Sequence, residues 1–160
     1  MEQTNTTSPR SRTSNWFECV GHYEKTTEDG TQKKVTEYYV VDALSFTEAE
    51  QRFLDEMKQY VSTDFEVKNI NPVPYKEVFF SDCPDDDHFY LCRLAFITID
   101  EKSEKEKRSY VHYLVQSSST MNAQRTIDQV MSQTMIDYVV KSVKETKVID
   151  VFEHENTTGK

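Results

Sequence analysis

Two stretches of this sequence match each other in register: WFECVGHYEK at residues 16–25 and FYLCRLAFIT at residues 89–98. Cys19 then corresponds to Cys92 and Tyr23 to Phe96, in each case 73 positions further along the chain. Apolar side chains recur at every second position, which is typical of a β-strand with one face against a core. The two stretches therefore predict the same first strand, used twice.

The match continues along the chain and predicts a duplicated fold. Val41, Ala49 and Met57 correspond to residues 74 positions on, and Val78-Phe79 corresponds to Val151-Phe152 at a spacing of 73. Residues 16–79 are therefore repeated, at low identity, as residues 89–152. We expect an α+β protein built as a tandem duplication of a ββαββ unit, with pseudo-two-fold symmetry between two small units that share a core.

Each repeat contains the signals for two strands, a helix and two further strands. In the first repeat we predict strands at 16–25, 35–43, 65–70 and 75–80, with Pro72 and Pro74 interrupting the chain between the last two. Its helix begins at the capping box Ser45-x-x-Glu48 and carries an apolar stripe of Ala49, Phe53, Met57 and Tyr60. The helix is expected to cover one face of the hairpin, while the remaining strands either extend that sheet or bridge to another.

The second repeat follows the same plan. Its predicted strands are 89–99, 110–116, 138–144 and 147–152. Ser119 is the predicted N-cap of its helix, with an apolar stripe of Ala123, Ile127, Val130 and Met131.

Composition divides the chain into five segments. Residues 1–15 and 153–160 are polar and are expected to be disordered tails. Residues 16–80 and 89–152 are the two ββαββ repeats, and the polar, Pro-containing residues 81–88 form an acidic linker between them.

Bulk composition excludes several classes of protein. Three glycines are too few for a glycine-rich phosphate loop, and no apolar run approaches the ~20 residues that span a bilayer. The first residues lack the apolar segment of a secretory signal, and the three cysteines are a sparse, odd set. These features favour a cytoplasmic protein with no membrane association.

The net charge of −9 is unevenly distributed. Residues 16–80 carry −6 and the linker carries −4, whereas residues 89–152 carry +1. The chain as a whole is expected to repel nucleic acid, and only the second repeat is electrically suited to an anionic partner.

No group of residues predicts a catalytic or metal site. The spacing of Cys83 and Cys92 does not match zinc ligation, and the Asp-rich linker that ends at His88 lacks the pattern of a calcium loop. Cys19 and His22 are three apart on a strand and therefore point to opposite faces. We expect no enzyme activity, no metal and no cofactor.

Basic residues at the two hairpin turns are the candidate binding residues. Paired basic arms beside aromatic strands could follow a phosphate backbone, although Lys and Glu also alternate in turns that are merely solvated. The first turn supplies Lys25, Lys33 and Lys34, and the second supplies Lys102, Lys105, Lys107 and Arg108.

A group of ring-bearing residues is predicted on the sheet faces opposite the cysteines or near sheet edges. An open surface there could serve as the interface between repeats, as a partner site or as a platform for base stacking, with the interface favoured. These residues are Trp16, Tyr38, Tyr75, Tyr110 and His112.

Several runs resemble a known family. They are WFEC at 16–19, QKKVTE at 32–37, VDALSFTEAE at 41–50, AFIT at 95–98, DEKS at 100–103 and DVF at 150–152. The chain is similar, over residues 16–152, to a family of Bacteroidota and their phages known as domain of unknown function 4494. The resemblance implies a small cytosolic protein of bacterial, prophage or phage origin, and it implies no catalytic residues.

Together these observations favour a non-catalytic binding or accessory protein of phage or mobile-element origin, associated with nucleic-acid processing through single-stranded nucleic acid. The alternative is an acidic protein-binding factor, such as an inhibitor or decoy of a host protein, that acts through the acidic first repeat and linker.

Overall fold

The computed structural model describes residues 9–61 and 64–154. In these residues the chain is an α+β protein with two helices and nine strands in two mixed sheets. The strands are β1 (Ser11–Arg12), β2 (Trp16–Thr26), β3 (Gln32–Asp42), β4 (Glu66–Val73), β5 (Tyr75–Phe79), β6 (His88–Ile99), β7 (Glu106–Ser117), β8 (Asp137–Glu145) and β9 (Val148–Phe152). The helices are α1 (Phe46–Met57) and α2 (Thr120–Met131). Within the described residues, neither helix is long and apolar enough to cross a membrane.

The two sheets are built on equivalent hairpins. The four-stranded sheet has the order β4-β2-β3-β9, and the five-stranded sheet has the order β1-β5-β7-β6-β8. Cys19 pairs with Tyr39 in the first hairpin, and Cys92 pairs with Tyr113 in the second. Each sequence repeat supplies one run of elements, β2-β3-α1-β4-β5 or β6-β7-α2-β8-β9. The third strand of each run, β4 or β8, extends the sheet of its own hairpin. Its pairing has a register shift at the same place, between Val20 and Gly21 or between Arg93 and Leu94.

The fourth strand of each run joins the other sheet. β5 lies parallel to β7, with Tyr75 opposite His112, and β9 lies parallel to β3, with Val148 opposite Tyr38. A single residue, Pro74, separates β4 from β5, which is too short for the turn that would pair them antiparallel. The chain therefore continues into the second sheet instead of folding back.

The chain consequently forms two compact units that differ from the segments 16–80 and 89–152. Among the described residues, the N-unit combines the segment 14–74 with residues 147–154, and the C-unit combines residues 9–13 with the segment 75–146. Each unit contains one helix, one long hairpin and one strand from the other run of elements.

Both helices begin at the predicted caps. The Ser45 hydroxyl accepts a hydrogen bond from the Glu48 N–H at 3.1 Å, and the Ser119 hydroxyl accepts one from the Asn122 N–H at 3.0 Å. The Glu48 carboxylate accepts from the Leu44 N–H, one residue before the cap, so the box is not fully reciprocal.

The apolar stripes of the helices are buried over three positions each. Ala49, Phe53 and Met57 are buried in the N-unit, as are Ala123, Ile127 and Met131 in the C-unit. The prediction for Tyr60 is wrong, because α1 ends at Met57 and the Tyr60 side chain is 69% exposed. Val130 is only partly buried at the edge of its core.

Different residues fill the two cores at equivalent positions. In the N-unit, Gly21 leaves room for the Phe65 ring, which packs edge-on against Phe53 with ring centroids 5.3 Å apart. In the C-unit, Leu94 stands at the position of Gly21 and is fully buried. There the Tyr138 hydroxyl, at the position of Phe65, donates to Asp128 Oδ1 at 2.7 Å.

Described parts of the predicted tails and of the linker form hydrogen bonds with the strands. Within the predicted tail 1–15, Ser11–Arg12 form β1 and pair with Phe79 and Val78, because the edge of β5 offers unpaired backbone groups. At the other end, the His154 N–H donates to the buried Asp42 carboxylate at 2.7 Å. The remaining tail residues, 1–8 and 155–160, lie outside the described part of the chain.

The linker 81–88 is held to β7 by one side chain. The Gln116 side-chain oxygen accepts from the Ser81 N–H at 3.0 Å, and its amide donates to the Asp86 carbonyl at 3.1 Å. His88, predicted as the last linker residue, is the first residue of β6.

Candidate functional site

The three cysteines divide into two buried thiols and one exposed thiol. Cys19 and Cys92 are completely buried, as predicted, and burial raises the pKa of each thiol to about 12. A thiol with so high a pKa forms almost no thiolate at neutral pH, and the thiolate is the nucleophile. The third cysteine, Cys83, lies in the linker and is exposed.

The linker residues do not assemble a metal site. Among residues 9–61 and 64–154, no group of three or more His, Cys, Asp or Glu side chains is arranged to hold a metal ion. His88 instead lies between two carboxylates, with Nδ1 2.6 Å from Asp87 Oδ1 and Nε2 3.3 Å from Glu145 Oε1. These contacts link the first residue of β6 to the last residue of β8.

The basic residues of the first hairpin point in two directions. Lys25 and Lys33 lie directly opposite each other on the helix side of the sheet, and Lys34 lies opposite Glu24 on the other side. All three lysines are exposed. Like charges directly across a strand pair repel each other, so an anion between Lys25 and Lys33 would relieve that repulsion.

The basic residues of the second hairpin also separate. Lys102 lies in the turn and Lys105 closes it, with the Lys105 carbonyl accepting from the Asp100 N–H at 2.9 Å. Lys107 is opposite Thr98 on the helix side, whereas Arg108 is opposite Ile97 on the far side. The four residues therefore do not form one patch, because strand alternation puts Arg108 alone on the far side.

Another basic residue, Arg93, lies on the same far side as Arg108. We use the term C-unit far face for the side chains of the five-stranded sheet on the side away from α2. Exposed or partly buried residues that register places on it include the basic Arg93, Arg108 and Lys144, the acidic Glu106 and Asp137, and Ile97, Ile99, Tyr110, His112 and Val139. The Arg93 guanidinium stacks over the Tyr110 ring, 4.3 Å from its centroid, and the ring remains 49% exposed.

The C-unit far face combines positive charge with stacking surface. Arg93 and Arg108 lie near the exposed Tyr110 ring, and Arg108 also contacts Glu106 at 3.4 Å. Guanidinium groups bind phosphates in planar, bidentate geometry, and an aromatic face can stack on a base. This arrangement can hold an anionic ligand that also carries aromatic rings.

The N-unit far face, the corresponding side of the four-stranded sheet, has Glu24 and Glu66 at the positions of Ile97 and Val139. A cleft of about 320 Å³ lies there, lined by His22, Tyr23, Glu24, Lys34, Asp64 and Glu66. Glu18 on the same side is half-buried, and burial raises its carboxyl pKa. The N-unit far face is therefore more acidic than the C-unit far face.

Two of the five predicted ring-bearing surface residues are buried. Trp16 is 2% exposed, and its indole Nε1 has no hydrogen-bond partner among the described residues. Tyr75 is 9% exposed. Tyr38 and His112 are partly buried, and Tyr110 is the most exposed of the five. The expectation of an open aromatic surface is therefore wrong for Trp16 and Tyr75.

Sequence reasoning missed Arg93, the residue that completes the C-unit far face. A signal was present, because Arg93 interrupts an apolar strand one position after the buried Cys92 and must face the opposite side. The contact with Tyr110 depends on the hairpin register, which pairs Arg93 with His112, next to Tyr110 on the same face.

The fold and this surface describe an α+β domain with a basic, aromatic sheet face. The family model named domain of unknown function DUF4494 matches residues 15–154, and the chain belongs to that family. No curated protein matches the chain. No solved structure matches it.

Proposed function

We propose that this chain is a non-catalytic accessory protein that binds single-stranded nucleic acid on the C-unit far face. The observation that carries the proposal is the Arg93 guanidinium stacked on the half-exposed Tyr110 ring, with Arg108 on the same face. The phage or mobile-element origin implied by the family resemblance belongs to this proposal.

Single strands fit this face better than a duplex. A stacking base needs an unpaired π-face, and each base stacked on an aromatic side chain contributes about 1–3 kcal/mol. The face offers two guanidinium groups, while the whole chain carries −9. We therefore expect weak binding that falls as salt rises, because few phosphate contacts must overcome an unfavourable net charge.

The test is fluorescence anisotropy of a labelled oligothymidylate of about 15 nucleotides at ~50 mM salt. Replacing Arg108 and Tyr110 with Ala should weaken binding by about 5-fold to 150-fold, which corresponds to the loss of one stacked base. Replacing Arg108 should also flatten the salt dependence, because one phosphate contact is lost.

The N-unit supplies a matched control. Lys34 and Thr36 stand at the positions of Arg108 and Tyr110, so the same double Ala substitution there should leave binding unchanged. No binding by the wild-type chain, or an equal loss in both double variants, would overturn the proposal.

The hairpin lysines provide a second arm of the test. Replacing Lys102, Lys105, Lys107 and Arg108 with Ser should remove more binding than replacing Lys25, Lys33 and Lys34. Acidic residues of the first hairpin, such as Glu24 and Glu37, reduce the positive potential around Lys25, Lys33 and Lys34.

A protein-binding function is the second candidate, and the acidic N-unit far face favours it. Glu24, Asp64 and Glu66 line one cleft there, and a basic protein surface would complement them. Replacing Glu24 and Glu66 with Lys should abolish such binding and leave oligothymidylate binding unimpaired, so the two functions are separable.

We also propose that the two runs of elements arose by tandem duplication of a ββαββ unit. In support, both runs have the same element order, the same cap position, and register shifts at equivalent places in two of the three strand pairings. The pseudo-two-fold relation between the units stays a prediction.

A further inference from the structure

Three of the four edge strands carry features that prevent another strand from pairing with them. β1 has two residues, which is too short to template a partner. In β4, the Asn69 side chain accepts from the Ile70 N–H at 3.1 Å, and Pro72 lacks an N–H. In β9, which has five residues, the Asp150 carboxylate accepts from the Val151 N–H at 2.8 Å.

The fourth edge strand, β8, lacks these features. It has nine residues and contains no proline, and within the described residues no side chain caps one of its backbone N–H groups. Val143 of β8 lies opposite Cys92, and Ile70 of β4 lies opposite the equivalent Cys19. The Val143 N–H is therefore equivalent to the Ile70 N–H, which the Asn69 side chain caps in β4. Ser142 stands where β4 has Asn69, and its hydroxyl makes no such bond.

A groove lies beside the open edge. It has a volume of about 460 Å³ between the first turn of α2 and β8, and it is lined by Thr120, Met121, Gln124, Val140, Lys141, Ser142 and Val143. The Met121 side chain is 63% exposed at its rim. Lys141 is the single charged residue in this lining, whereas the equivalent groove of the N-unit contains both Glu50 and Lys68.

From these features we infer that β8 binds an extended segment of a partner protein by strand addition. The segment places an apolar side chain against Met121, Val140 and Val143, and a carboxylate beside Lys141. Backbone hydrogen bonds to an open edge supply affinity, and pockets for alternate side chains supply specificity. This inference is independent of the proposed function, because it concerns an edge and a groove on the helix side of the sheet.

Charge complementarity selects a partner segment over a second copy of this chain. The longest antiparallel pairing of β8 with its own copy is centred on Lys141. It sets Lys141 opposite Lys141 and Asp137 opposite Glu145, and like charges directly opposite are destabilising. An acidic, apolar segment from another protein avoids both conflicts.

The experiment is a selection of displayed random peptides of about 10 residues, the upper length of a typical strand, on the full chain. The selected peptide is then measured by fluorescence anisotropy against wild type and three variants. Ser142→Asn copies the cap of β4 and should weaken binding at least about tenfold, since an edge hydrogen bond is lost. Lys141→Glu should weaken it similarly, and the selected peptides should be rich in Asp or Glu next to an apolar residue.

Asn69→Ser is the matched control, because it changes the equivalent position of the protected edge and should leave peptide affinity unchanged. Thermal melts of all variants verify that each one folds. Failure to select any peptide, or an unchanged affinity in folded Ser142→Asn, would overturn the inference. So would sedimentation showing a dimer that Ser142→Asn dissociates, because the occupant would then be a second copy.

Discussion

The two far faces carry different side chains at several equivalent positions. The C-unit has the exposed Arg93 where the N-unit has Val20, which is 8% exposed. Tyr110 corresponds to Thr36, Ile97 to Glu24 and Val139 to Glu66, so the C-unit far face has more aromatic surface and fewer acidic residues than its N-unit counterpart. The helix sides, by contrast, carry Ala, a large apolar residue and Met at the same three helix positions.

This difference shows where each unit is constrained. A side chain between helix and sheet must fill a fixed volume, so a change of even one methylene alters stability. Side chains near the hairpin ends of the far faces contact water and can change charge at little cost. Binding functions are therefore expected to differ between the units on the far faces, while the cores remain alike.

The largest expected effect tests the likeness of the cores. Phe53→Ala should lower the free energy of unfolding by about 3–5 kcal/mol and Ile127→Ala by about 2–5 kcal/mol, since each removes a buried side chain at the centre of a core. Urea denaturation of both variants measures this. Ser45→Ala is the reference, with an expected loss of about 1 kcal/mol for one helix cap. A greater loss for Ser45→Ala than for Phe53→Ala would contradict the assigned helix face.

An intermediate effect tests how the cores differ. Gly21→Ala should destabilise the protein by about 1–3 kcal/mol, because the added methyl group would collide with the Phe65 ring and lie 3.2 Å from Phe53 Cζ. Adding Phe65→Leu should recover part of the loss, which a double-mutant cycle in urea measures. Gly30→Ala is a different case, because Gly30 has φ +84° and open space around it, so its cost is conformational.

The smallest effect concerns the N-unit far face, where Glu18 stands at the position of Leu91. Burial raises the Glu18 carboxyl pKa above its usual 4.5, so the folded state holds this proton more tightly than the unfolded state. Below pH 4.5 the Glu18 carboxyl is protonated in both states and does not lower the free energy of unfolding. As the pH rises from 4.5 to the folded pKa, the carboxyl increasingly lowers the free energy of unfolding. Glu18→Gln should therefore stabilise the protein at about pH 7 and have no effect at about pH 3.

Urea denaturation at both pH values verifies the sign of this effect. Glu24→Gln, on the exposed part of the same strand face, is the control and should change stability little at either pH. A gain from Glu18→Gln that is larger in acid than at neutral pH would show that the carboxylate is stabilised by the fold instead.

The candidate binding surface was only partly predictable from the sequence. The charge difference between the repeats indicated the second hairpin, and Arg108 does lie on the C-unit far face. Lys107 was grouped with it because the two are adjacent in the sequence, yet adjacent strand residues face opposite sides. Arg93 was missed because its contact with Tyr110 forms across the strand pair.

The sequence by itself determined the elements of this fold. Alternation indicated the hairpin strands, Ser45 and Ser119 marked the helix starts, and Cys19 and Cys92 were correctly expected to be buried. These features are local, because they depend on side-chain periodicity and on hydrogen bonds between residues three apart.

Only the tertiary structure decided which sheet the last strands join and which edges stay open. Tyr75–Phe79 and Val148–Phe152 have similar lengths and both end in Val-Phe, so either sheet could accept either strand by its local pattern. Backbone hydrogen bonds carry no sequence code, and the partners β7 and β3 lie far away along the chain. For β5 the choice was made by chain geometry, since a single residue between β4 and β5 allows no turn back.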